Sequence, residues 1–241
     1  MTTTSRTARI DRARVLTASI LLLAAGAVGS MLLFSDFAFL SENDEFAALD
    51  RVSNRPLYTF VVVNSITIAV AAAGVGAVGF AAGRGSAVAA TFGRASGIAA
   101  AVGAATLVTG QVLLSALANQ WMRDETLQGS GNVMNVFTSL QFGTSQMGYG
   151  VFAIGLVLLC IAIACSRSMH RYAAIAPGAL AIIMLVVVSD GQSTAAALLP
   201  ICTLLLGAAV LVAGLIRHNP VGDTVTPPQQ DGSPDSPPPA P

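Results

Sequence analysis

The chain has 241 residues, 54% of them hydrophobic and only 10% charged, with a mean hydropathy of +0.72. A soluble domain of this size carries about a quarter of its residues charged, so an ordinary water-facing surface is excluded. Twelve arginines balance 12 acids, there is no lysine, and the zero net charge excludes a nucleic-acid binder working by bulk phosphate attraction.

What remains is an all-α polytopic transmembrane bundle. About 20 apolar residues cross a hydrocarbon core of about 30 Å as a helix. Read between charges, the chain holds six such segments: 15–34, 57–82, 95–118, 146–165, 172–189 and 195–216. Several are apolar around their whole circumference, unlike soluble core helices, and none alternates in short pieces as barrel strands do.

Residues 1–14 form a basic start with Arg6, Arg9, Arg12 and Arg14. Basic residues before an apolar run ending in Ala24, Ala25 and Gly26 also match a secretory leader, but the run continues through Phe34, longer than a leader core. The expectation is a retained first span. The loop 35–56 is polar, and 44–52 has the spacing of a short surface helix capping the bundle.

Span two carries Asn64, Ser65 and Thr67, and span three carries Thr106, Thr109, Gln111 and Ser115. Asn64 and Gln111 fall in the outer parts of their helices, and Gln146 opens span four. These neutral groups are candidates either for interhelical hydrogen bonds or for the lining of an outward-facing polar cavity. Gly79 and Gly83, then Gly93 and Gly97, form two GxxxG pairs flanking the turn between spans two and three. Such pairs let helix backbones approach closely, within one chain or between copies.

Trp121, the only tryptophan, follows span three where an interfacial anchor belongs. After Gly129-Ser130-Gly131, Val133, Val136, Phe137 and Leu140 recur at helical spacing. The expectation for 133–142 is a segment along the interface or across the bundle mouth, the alternative being the first turns of a long fourth helix. Cys160, Cys165 and Cys202 lie in spans four and six without nearby histidine or acid, so neither a disulfide framework nor a metal site is expected. The tail 217–241 holds eight of the 11 prolines and no apolar period, the composition of a disordered, proline-rich segment.

Orientation follows from arginine near the span ends. Arg6, Arg9, Arg12, Arg14, Arg84, Arg94, Arg167, Arg171 and Arg217 fall on one side, and only Arg51, Arg55 and Arg123 on the other. Both termini are therefore expected in the cytoplasm.

Two short stretches carry a resemblance: Thr7-Ala8-Arg9-Ile10 before span one, and Cys165-Ser166-Arg167-Ser168-Met169-His170-Arg171-Tyr172 leading into span five. With them the chain resembles an uncharacterised bacterial family of six-span integral membrane proteins of similar length, with His170 where that family usually has proline. The resemblance implies architecture and a bacterial cell membrane, and no activity. Arginine without lysine and abundant Ala and Gly look like a high-GC bacterium.

No charge sits mid-span, which disfavours proton relays and voltage sensing. No Ser/His/Asp set, HExxH or phosphate loop can be assembled, and no cofactor is implied. The expectation is a non-enzymatic structural or accessory membrane subunit, in contact with the lipid bilayer and with a protein partner or further copies of itself. The alternative is a permease for a small solute, or the membrane half of an ATP-driven exporter.

Overall fold

The structure is a computed structural model, and it describes residues 3–34, 57–123, 131–166, 169, 171–191 and 195–216. Six helices follow in order: α1 Thr3–Phe34, α2 Leu57–Ala82, α3 Ala87–Arg123, α4 Gly131–Cys165, α5 Ile175–Ser189 and α6 Ala195–Ile216. Short 3₁₀ turns at Gly83–Gly85 and Arg171–Ala174 introduce α3 and α5. Five of the helices, and α5 together with the Arg171–Ala174 turn that leads into it, are long and apolar enough to cross a membrane, and the protein is a multi-pass membrane protein.

Each helix packs antiparallel on the next, and α6 returns to α1, so the six close into a ring. Lipid tails are as apolar as leucine, so association rests on close packing rather than on a hydrophobic drive between helices. Glycine provides that packing at most seams. A Cβ on Gly26 of α1 would lie 2.5 Å from the Leu204 backbone nitrogen of α6, and one on Gly207 2.8 Å from that of Leu23. One on Gly74 of α2 would meet the Leu22 side chain at 2.7 Å.

The ring is filled, not hollow-cored by polar groups. Leu22, Val75, Val78, Leu107, Phe152, Leu156, Leu159 and Leu206 are almost completely buried. Outward-facing residues such as Ile20, Ile66, Ile98, Ile154 and Ile182 are large and apolar, the arrangement of a lipid-facing surface.

The structure revises two span boundaries. Residues 133–142 belong to α4, which runs unbroken through Gly143 instead of breaking into a separate interfacial segment. A mean spacing of 1.5 Å per residue makes this helix about 52 Å long, well beyond a hydrocarbon core. Arg94, read from sequence as a flank of span three, lies inside α3, which begins at Ala87. The loop 35–56, including 44–52, and the tail 217–241 lie outside the described residues.

Among the charged residues whose side chains are described, Arg14, Arg84, Arg94 and Arg171 are exposed toward one end of the ring and Asp190 at the other.

Candidate functional site

Four of the hydroxyls inside spans two and three fold back onto their own helices. Thr67 donates to the Val63 carbonyl at 2.7 Å, Thr106 to Val102 at 2.9 Å, Thr109 to Ala105 at 2.9 Å and Ser115 to Val112 at 2.8 Å. A hydroxyl satisfied within its own helix contributes neither a bond between helices nor a free donor. The carboxamides of Asn64, Gln111 and Gln146 therefore stand apart.

Their level follows from the register of the glycine seams. Between α2 and α3, Gly79 backs directly onto the Gly93 carbonyl, a Cβ on Gly83 would lie 2.7 Å from the Ala90 Cα, and Gly97 faces Gly76. All four GxxxG glycines thus lie at a seam within one chain. Continued outward, this register puts Asn64 across from the Val108–Thr109 level of α3.

Between α3 and α4 the seam is longer. A Cβ on Gly155 would lie 2.8 Å from the Ala100 nitrogen, on Gly148 2.7 Å from the Leu107 side chain, on Gly103 2.6 Å from the Phe152 nitrogen and on Gly110 2.6 Å from Ser145 Oγ. Gly103 and Gly110 are seven residues apart, as are Gly148 and Gly155. Two helical turns separate each pair, so each keeps to one face. The GxxxG pattern does not mark this seam; its signal in the sequence is glycine at a spacing of seven in two successive helices.

That register places Gln111 opposite Thr144, two residues from Gln146, at the level of Asn64. The three form one polar layer where the core gives way to the Arg-poor end. Gln111 is 9% exposed, its Oε1 is buried, and it has no hydrogen-bond partner among the described residues. Gln146 Oε1 is buried as well, and its residue makes contacts of its own. Asn64 is half-buried. Among the described residues no hydrogen bond joins these three side chains to one another. Nearby, Gln141 Nε2 donates to Ser145 Oγ at 3.4 Å.

Chemically, the layer offers neutral carbonyl-type acceptors in an otherwise apolar bundle. Among the described residues it contains no nucleophile with a base beside it. Trp121 lies in the last turn of α3, and its side chain falls outside the described residues.

The three cysteines are spread over two levels. Cys202 Sγ donates to the Pro177 carbonyl across the α5–α6 seam at 3.5 Å, Cys160 packs on Gly178, and Cys165 is exposed at the end of α4.

No protein-family profile, curated protein or solved structure matches the chain.

Proposed function

We propose that the protein is a non-enzymatic accessory subunit of a bacterial cytoplasmic membrane, with both termini inside, acting through a protein partner at its Arg-poor end. The observation that carries this reading is the projecting hairpin of α3 and α4. Continuing the seam register, both helices run about two turns beyond Leu57, the first residue of α2, and α4 runs about five turns beyond Asp190 at the end of α5. On this projection Val136, Phe137, Leu140 and Phe142 are exposed. Large apolar side chains standing clear of the ring cost free energy in water and mark contact surfaces.

The test is site-specific photocrosslinking in native membranes, with a benzophenone side chain at position 137 and, as the lipid-facing control, at position 98. A discrete protein adduct at 137 and none at 98 is expected. Equal or absent adducts at both positions overturn the partner reading.

The permease is the second reading, and one observation favours it: the buried, unpartnered Gln111 Oε1 in the polar layer. A small solute with hydrogen-bond donors would satisfy that oxygen. On this reading a solute raises the thermal stability of the purified protein, and Gln111→Leu removes the effect while leaving the fold intact. Screening amines, polyols and amino acids without a stability shift in the unmodified protein counts against it.

A further inference from the structure

The lipid-facing side of the α2–α3 seam brings an aromatic ring and two arginines together. Gly79 and Gly93 touch, and each is followed by a large outward residue, Phe80 and Arg94. In an antiparallel pair, one step past the contact turns both helices to the same side, so Phe80 and Arg94 share a face of the hairpin. Arg84 lies one turn after Phe80, its guanidinium 5.4 Å from the center of the Phe80 ring. Between these side chains the seam is built of glycine and alanine, which leaves a groove.

Arg94 is the unusual member. It stands on the exposed stripe of α3 with Thr91, Ile98 and Val102. By the seam register its Cα is level with Val78, about six residues or ~9 Å inward of Arg84. A charge that deep on a lipid-facing surface is costly unless it reaches the boundary or meets a counter-charge. Among the described residues no carboxylate pairs with Arg94. Side chains lean toward the start of their own helix, which for α3 is the Arg-rich end, so the length of Arg94 allows it to extend toward the level of Arg84.

The geometry points to a binding site for an anionic membrane lipid in this groove, with Arg94 and Arg84 on the phosphate and the acyl chain along the Gly79–Gly93 seam. Guanidinium forks match phosphate oxygens in two-pronged fashion, and basic clefts between membrane helices hold acidic headgroups. Free phosphate shares the headgroup chemistry, but the groove faces hydrocarbon, which selects the lipid. The site depends only on the membrane setting and not on the proposed partner.

The test uses the full-length protein in nanodiscs of equimolar phosphatidylcholine and phosphatidylglycerol, released for native mass spectrometry. The unmodified protein should retain phosphatidylglycerol over phosphatidylcholine. Arg94→Gln should lower that ratio roughly fivefold, the factor expected for about 1 kcal/mol per basic residue, and Arg84→Gln should lower it comparably. Arg14→Gln removes the same charge from the same end on α1 and should leave the ratio near the unmodified value. Equal losses in Arg94→Gln and Arg14→Gln would make the effect diffuse surface charge and overturn the site. So would an undiminished ratio in Arg84→Gln, or displacement of the lipid by inorganic phosphate.

Discussion

The Ser166 hydroxyl donates to the Ala82 carbonyl oxygen at 2.9 Å, tying the last residue of α2 to the residue just after α4. Both groups are buried. The last carbonyls of any helix lack partners within it, and here a side chain 84 positions away supplies one. The bond fixes the two helix ends at a common level at the Arg-rich end of the ring.

Ser166→Ala should therefore destabilise the protein by about 1 kcal/mol, since a buried carbonyl loses a donor. Thermal unfolding in detergent, followed by loss of helical circular dichroism, reads this directly. An unchanged midpoint would mean that water replaces the hydroxyl there.

The glycine seams predict a contrast between positions of one residue type. Gly93→Ala places a methyl group against the Gly79 backbone, where no flexible side chain can move aside. A loss of about 1–3 kcal/mol is expected from such overpacking. Gly143→Ala, by comparison, meets nothing within 4 Å inside α4. That change should stabilise by about 0.5–1 kcal/mol, through better helix propensity alone. The two unfolding midpoints should move in opposite directions.

Because Gly79 and Gly93 serve a seam within one chain, enlarging them should lower stability without changing oligomeric state. Sedimentation velocity on Gly79→Ala in detergent should give the same mass as the unmodified protein. A shift from dimer to monomer would show the motif also holding two copies together.

Gln111→Leu should cost no stability, and a gain of up to about 1 kcal/mol is expected. The substitution removes a buried acceptor that has no partner and supplies apolar volume in its place. A marked loss would show that the carboxamide holds helices together.

Native thiol labelling should distinguish the cysteines. Cys165 is exposed, while Cys160 and Cys202 are buried, so one thiol of three should react with a maleimide before unfolding. On the proposed orientation, with both termini inside, an impermeant maleimide should reach Cys165 in inverted vesicles and not in intact cells. The reverse pattern would invert the proposed orientation.

Much of the architecture was readable without coordinates, because the bilayer imposes a length and a polarity on each helix. Uncharged runs bounded by arginine or acid located all six helices, and 57–82 and 195–216 coincide with α2 and α6. Within the uncharged run 126–166, hydropathy placed the start of the fourth helix too late. Polar Asn135, Ser139 and Gln141 make 133–142 a poor span, yet it continues the same helix, α4. Charge marked Arg94 as a boundary although it lies about two turns inside α3, since sequence does not register how far inward of the boundary a long side chain can be rooted.

Composition and periodicity thus determined that the chain crosses lipid six times as helices, since a backbone in hydrocarbon must satisfy its hydrogen bonds within each segment. Which glycine meets which backbone, that α6 closes onto α1, and that Asn64, Gln111 and Gln146 share one layer were decided by tertiary packing. Those relationships depend on helix register and rotation, and an apolar sequence in an apolar solvent leaves both open until the small residues find close contact.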